Sequence, residues 1–243
     1  MTTVLDHLSI ATPALADGWD LFRGALGGTW AYGEASPGFW WGQLEFAAGP
    51  KIELMKPDGT PEAAFLERFL AAHGPGPHHF NFIVSDITVT LDRVRAHGIE
   101  PVGVNLDNPH WKEAFLHPRQ AHGIVIQVAQ QDGNPDGEAP AELGEPGPPA
   151  SFDLIEHHVG DLGRATALFR DVLDGQLESV DAETAEVTWP GGKRIRLVHE
   201  AGLPLDGALH HVRFARPGSF SPAERERAAL LAKRLGLTVE LAG

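Results

Sequence analysis

The chain has 243 residues, of which 42% are hydrophobic and 21% charged, and this composition is typical of a globular protein with one or two domains. Nineteen basic and thirty-three acidic side chains give a formal net charge of -14, which disfavours a nucleic-acid partner because such proteins neutralise phosphates with Lys and Arg. The absence of cysteine excludes disulfides and thiolate ligands, so any bound metal must accept nitrogen and oxygen donors.

The N-terminal sequence MTTVLDHLSIATPAL has no basic segment ahead of an apolar stretch. No run of apolar residues along the chain is long enough to cross a bilayer. These features predict neither a signal peptide nor a membrane contact, and we therefore expect a cytoplasmic protein.

Residues 1–130 predict two successive copies of a β-α-β-β-β unit. In the first copy a strand pattern, VLDHLSIAT, precedes the helical pattern ALADGWDLFRGALGG and the strand-like segments WWGQLEFAAG and KIELMKP. A connecting helix, TPEAAFLERFLAAHG, leads to the second copy, with the strand GPHHFNFIVS, the helix DITVTLDRVRAHG and the strands EPVGVNL, KEAFLHP and GIVIQVAQ. The pattern predicts an α+β fold in which paired modules form a curved mixed sheet around a pocket.

Residues 131–150 are almost wholly Pro, Gly, Ala and acidic residues, which is typical of a linker. Residues 151–243 repeat the same order of elements without the final hairpin, and predict a degenerate, shortened copy of the first domain. This copy lacks half of the donor residues of the metal site that the first domain is predicted to contain. The positions equivalent to the predicted ligands hold Leu154, Arg196, His211 and Glu240.

Four polar residues occupy equivalent strands of the two copies in residues 1–130. Because side chains alternate between the faces of a strand, Leu8 and Ile10 share the face opposite His7, and the same reasoning applies to the other three strands. The sequence therefore predicts one site for a divalent metal ion (Co, Ni, Mn, Zn, Mg or Fe) on the polar face of the sheet. Its predicted ligands are His7, Glu53, His79 and Gln127.

The segments VLDHLSIA, KIELMKP, GPHHFNFIVSDI and AFLHPRQAHGIVIQV resemble the signature strands of the vicinal oxygen chelate superfamily, which includes glyoxalases, bleomycin-resistance proteins and extradiol dioxygenases. The branch most similar to them is that of the methylmalonyl-CoA epimerases. In that branch the second ligand is usually Gln and the fourth Glu, whereas this sequence has Glu53 and Gln127. The resemblance also implies a catalytic carboxylate on the strand of Trp41, which falls on Glu45.

These features favour a metal-dependent lyase or isomerase that acts on a small carbonyl compound through an enolate, with Glu45 as the base and Glu53 as a ligand or second base. We expect the substrate pocket to be lined by Trp41, Asn81, Trp111 and Phe115. An Fe(II) extradiol dioxygenase and a non-catalytic binding or resistance protein are the alternatives. Members of the superfamily often dimerise, and a homodimer is compatible with this sequence.

Overall fold

The computed structural model describes residues 2–133, 137–203 and 208–243. Their strands form two mixed sheets, one of eight strands in the order β2-β3-β4-β1-β5-β8-β7-β6 and one of six in the order β10-β11-β12-β9-β13-β14. The first sheet contains β1 (Thr3–Ala11), β2 (Thr29–Ser36), β3 (Phe39–Glu45), β4 (Lys51–Pro57), β5 (Gly76–Val84), β6 (Val102–Asn105), β7 (Trp111–Leu116) and β8 (Val125–Gln131). The second contains β9 (Ser151–Val159), β10 (Gln176–Val180), β11 (Thr184–Trp189), β12 (Lys193–His199), β13 (Ala208–Ala215) and β14 (Thr238–Ala242). The predicted α+β class with a duplicated, partly shortened arrangement is confirmed.

Helices connect the strands at equivalent places in the two sheets. After β1 a helical turn, α1 (Ala16–Gly18), continues as a π-helix (Trp19–Ala25), and after β9 the helix α4 (Leu162–Ala167) likewise continues as a π-helix (Leu168–Val172). The remaining helices are α2 (Ala64–His73), α3 (Ile87–Ala96) and α5 (Pro222–Arg234), with 3-10 turns at Pro61–Ala63 and Ala141–Leu143. None of the helices in the described ranges has the length and apolar character needed to cross a bilayer.

Two strands were not identified individually from the sequence, β2 and β10. Each lies at one edge of its sheet, and the residues of both are half-buried or exposed. An edge strand needs no fully buried face, so its sequence carries little apolar alternation. These two strands complete the β-α-β-β-β order in the first module of each sheet.

The chain folds into two compact units, and each has its own core. In the first unit, which includes residues 2–6, 79–133 and 154–203, the rings of Phe82, Phe169 and Trp189 pack against one another. In the second unit, which includes residues 7–78, 137–153 and 211–243, Phe152 stacks on Phe214 with ring centroids 4.7 Å apart. The apolar strand faces predicted from alternation are buried in both units.

Residues 137–150 of the predicted linker belong to the second unit, and residues 134–136 lie outside the described part of the chain. Its one bulky apolar residue, Leu143, is buried. The backbone N–H groups of Gly147 and Ala150 donate to the carbonyl groups of Arg23 and Leu26 at the end of the π-helix. The division into a domain over 1–130, a linker over 131–150 and a shortened copy over 151–243 stays a prediction.

Candidate metal centre

The second unit brings three polar side chains into one row across neighbouring strands. Glu53 on β4 pairs with Ser9 of β1 on one side and with Gln43 of β3 on the other. Directly paired residues of neighbouring strands project to the same face, so these three side chains lie side by side. All three are buried, with at most 6% of any of them exposed.

Both carboxylate oxygens of Glu53 accept hydrogen bonds within this row. The Ser9 hydroxyl donates to Oε1 at 2.5 Å and the Gln43 amide nitrogen donates to Oε2 at 2.8 Å. The same nitrogen of Gln43 lies 3.1 Å from Nδ1 of His7, whose Nε2 is 3.5 Å from Glu53. A carboxylate has about four lone-pair directions, so these donors orient Glu53 and still leave it able to bind a cation.

The first unit contains a corresponding row on β5, β8 and β7. Asn81 pairs with Gln127 in the β5–β8 ladder, and its amide nitrogen donates to Oε1 of Gln127 at 2.7 Å. The amide nitrogen of Gln127 donates in turn to Oε2 of Glu113 at 2.7 Å. The indole N–H of Trp111 donates to the same oxygen at 2.8 Å. Gln127 is therefore held at both ends of its amide.

Three of the four predicted ligands lie close together. His7, Glu53 and His79 are all buried, and each offers a ligand atom within 4.8 Å of those of the other two. Metal–nitrogen and metal–oxygen bonds of about 2.0–2.2 Å place two donors of one ion at most about 4.4 Å apart. Two imidazoles and a carboxylate at these separations fit a divalent cation after small side-chain movements.

Two buried amide oxygens support this assignment. Oε1 of Gln43 and Oδ1 of Asn81 have no hydrogen-bond partner in the described part of the chain. A buried acceptor without a donor costs about 1–3 kcal/mol, and a bound cation with its coordinated water would satisfy such oxygens. Ser9 and Gln43 were not identified from the sequence as site residues, although both share the strand parity of the predicted ligands.

The other predicted site residues lie in different surroundings. Glu45 is exposed, and its carboxylate makes no hydrogen bond or ion pair with any described residue. Phe115 is half-buried opposite Gln127 in the β7–β8 ladder. Trp41, also half-buried, packs with Met55 and helix α2 in a hydrophobic cluster.

Burial also affects two histidines that are not predicted ligands. His78 contacts the rings of Phe65 and Phe69, and desolvation lowers its pKa to about 4. Burial is the main cause of the lowered pKa of His122, and the charge of Arg164 adds to it. Both side chains are therefore neutral at pH 7.

Two surface depressions of about 420 and 350 Å³ lie in the first unit, and none of the predicted ligands lines them.

The second sheet has the same strand register with different side chains. Arg196 on β12 pairs with Glu156 of β9 and with Glu186 of β11, as Glu53 pairs with Ser9 and Gln43. Its guanidinium lies 3.1 Å from Glu186 and 3.9 Å from Glu156. A guanidinium has no lone pair to offer a metal, so the predicted loss of ligand chemistry at this position agrees with the structure.

The eight-stranded sheet contains two β-α-β-β-β modules, and His7, Glu53 and His79 form a buried group of potential metal ligands. Residues 6–115 match the model of the glyoxalase/bleomycin resistance protein/dioxygenase superfamily. These residues are thus similar to this superfamily, also called the vicinal oxygen chelate superfamily, as the strand signatures predicted. A search of curated proteins finds no match to the sequence.

Two solved structures match at least 97% of this chain, and a third matches about half of it. A mutant of 4-hydroxymandelate synthase from Streptomyces coelicolor is 14% identical, with a TM-score of 0.60 and coverage of 97% of this chain and 74% of the other. A hypothetical protein from Staphylococcus aureus is 12% identical, with a TM-score of 0.60 and full coverage of both chains. Methylmalonyl-CoA epimerase from Mycobacterium tuberculosis is 25% identical, with a TM-score of 0.47 and coverage of 53% of this chain and 88% of its own. The first two of these structures share the duplicated fold.

Proposed function

We propose that this protein is a divalent-metal-dependent lyase or isomerase that removes a proton next to the carbonyl group of a small molecule. The buried group of His7, Glu53 and His79 carries this proposal. When bound there, a divalent cation supplies positive charge that stabilises the enolate formed by loss of the proton. The amide oxygen of Gln127 is the proposed fourth donor.

The neighbouring residues have separate proposed roles. Ser9 and Gln43 hold the carboxylate of Glu53 through both of its oxygens, which favours a fixed ligand over a base that changes partners. Glu45 is the proposed proton acceptor, because it follows Gln43 on the same face of β3 and its carboxylate is not engaged by other described residues. A positioned carboxylate of this kind accelerates proton removal by about 10²- to 10⁴-fold. The proposed substrate pocket retains Trp41, Asn81, Trp111 and Phe115.

Elemental analysis of protein purified without chelator tests the metal site. We expect a stoichiometric divalent metal in the wild type and its loss in the single alanine variants of His7, Glu53 and His79. Loss of the metal from Gln127→Ala would support the assignment of Gln127 as the fourth ligand. A metal-free wild type that binds a small molecule equally well with and without chelator would instead indicate a binding protein.

Deuterium exchange tests the reaction. The metal-loaded protein is incubated in deuterated water with a panel of 2-oxo acids, hydroxyketones and acyl thioesters, and exchange next to the carbonyl is followed by nuclear magnetic resonance. We expect exchange in at least one class, with loss of exchange in His7→Ala and a decrease of about 10²- to 10⁴-fold in Glu45→Gln. Exchange in no class by the metal-loaded wild type would overturn the proposal, and full exchange by Glu45→Gln would overturn the role of Glu45.

One observation favours a second candidate, an Fe(II) dioxygenase. Two histidines and one carboxylate are the donor set of non-haem iron oxygenases, and the three clustered residues have this composition. Anaerobic loading with iron, followed by catechol and air, separates the two candidates, because ring cleavage gives yellow products. Colour with iron, together with no deuterium exchange with any metal, would favour the dioxygenase.

A further inference from the structure

Gln127 has a fixed amide orientation in the first unit. The ionised carboxylate of Glu113 can only accept hydrogen bonds. The group of Gln127 that lies 2.7 Å from it is therefore the amide nitrogen, and the amide oxygen lies at the other end. Asn81 donates to that oxygen from the opposite side. A carbonyl oxygen has two lone pairs, and Asn81 occupies one of them. The other lone pair is available for a cation.

Glu113 is itself held in place beside Gln127. It lies diagonally across the β7–β8 ladder, in which Gln127 directly opposes Phe115 and Glu113 opposes Ala129. Diagonal neighbours in a sheet are within reach of long side chains. The indole N–H of Trp111 fixes the same carboxylate oxygen. The carboxylate is half-buried, which strengthens its charge-assisted bond to the amide relative to one in water.

The two units contain the same pair of groups in opposite order. In the second unit the predicted ligand is the carboxylate of Glu53, and the adjacent strand supplies the amide of Gln43. In the first unit the predicted ligand is the amide of Gln127, and the adjacent strand supplies the carboxylate of Glu113. Each unit therefore places one negative charge at or next to its ligand position.

We propose that Glu113 is a positioning residue of the metal site. Its carboxylate holds the Gln127 amide with the carbonyl oxygen available as a ligand, and its charge makes that oxygen a stronger donor. This inference rests on the metal site proposed above, and not on the reaction proposed for it. Outer-shell partners of this kind typically change metal affinity by about 10- to 100-fold.

Titration of the metal-free protein with cobalt(II), followed by calorimetry and by the visible spectrum of the bound ion, tests the proposal. We expect Glu113→Gln to weaken cobalt binding by about 10- to 100-fold and to change the spectrum. Glu156→Gln is the matched control, since it makes the same change at a half-buried carboxylate of the second sheet, and its affinity should equal that of the wild type. Urea unfolding of both variants establishes that they are folded.

The double variant Glu113→Gln with Gln127→Glu exchanges the two groups and moves the carboxylate to the ligand position. We expect it to recover at least the wild-type affinity, which a purely structural role of Glu113 would not predict. Unchanged affinity in Glu113→Gln, or no recovery in the double variant, would overturn the role of Glu113. A wild type that binds no cobalt would overturn the metal site as well, whereas cobalt binding without deuterium exchange would overturn only the proposed reaction.

Discussion

Each sheet contains a row of three side chains on neighbouring strands, and the two rows have opposite charges at their centres. The first row is Ser9, Glu53 and Gln43, and the second row is Glu156, Arg196 and Glu186. In the first sheet a carboxylate, Glu53, lies between the neutral donors Ser9 and Gln43. In the second sheet a guanidinium, Arg196, takes the central position between two carboxylates. The strand register is the same in both rows, so the difference arises from the side chains alone.

This difference shows how one fold supports both a candidate ligand site and a structural ion-pair network. The carboxylates on either side of Arg196 are neutralised by a cation that belongs to the chain. In the first row the neighbours orient the carboxylate without neutralising its charge, which leaves a role for an added cation. The two rows thus share their strand register and differ in the charge of the central residue.

The largest expected effect comes from removing the central charge of the first row. Glu53→Gln should weaken cobalt(II) binding by more than about 100-fold, because outer-shell changes alone cost about 10- to 100-fold. Glu186→Gln, a carboxylate of the second row, is the matched control and should bind as the wild type does. Calorimetric titration of the metal-free proteins measures both affinities. Equal binding by Glu53→Gln and wild type would remove the distinction between the rows.

Ser9→Ala should have the next largest effect. The variant removes the donor to Oε1 of Glu53 and should weaken cobalt binding by about 10- to 100-fold. It should also lower the free energy of unfolding of the metal-free protein by about 1–3 kcal/mol, because a buried hydrogen bond to a charged group is lost. Titration and urea unfolding measure the two effects. A stability loss with unchanged affinity would show that Ser9 supports the fold and not the ligand.

Strand alternation predicted the part of the site that depends on backbone geometry. It placed His7, Glu53, His79 and Gln127 on the polar faces of their strands, and all four side chains are buried there. It did not predict Ser9, Gln43 or Glu113, because their roles depend on the register between strands, which a single sequence does not specify. Nor did it predict that Trp41, which has the predicted parity, packs against helix α2, because the packing of a connecting helix is a tertiary property.

Arg196→Leu tests the second row from its centre. The change leaves Glu156 and Glu186 without their shared guanidinium, and we expect the free energy of unfolding to fall by about 1–2 kcal/mol. This is less than the roughly 3–5 kcal/mol of a fully buried pair, because the Arg196 side chain is 33% exposed. Urea unfolding at neutral pH measures the change. Weakened cobalt binding in this variant would contradict the separation of the two rows.

The smallest expected effect concerns Arg194, which lies 3.1 Å from the same Glu186 carboxylate. Arg194 lies outside the row, since it pairs with Thr188 in the β11–β12 ladder, and Arg194→Gln should therefore lower the free energy of unfolding by only about 0.2–1 kcal/mol. The difference from Arg196→Leu would locate the neutralising charge at the centre of the row, where the first sheet has Glu53. A loss equal to that of Arg196→Leu would mean that the two arginines share the carboxylates evenly, and the second row would then have no single central cation to compare with a bound metal.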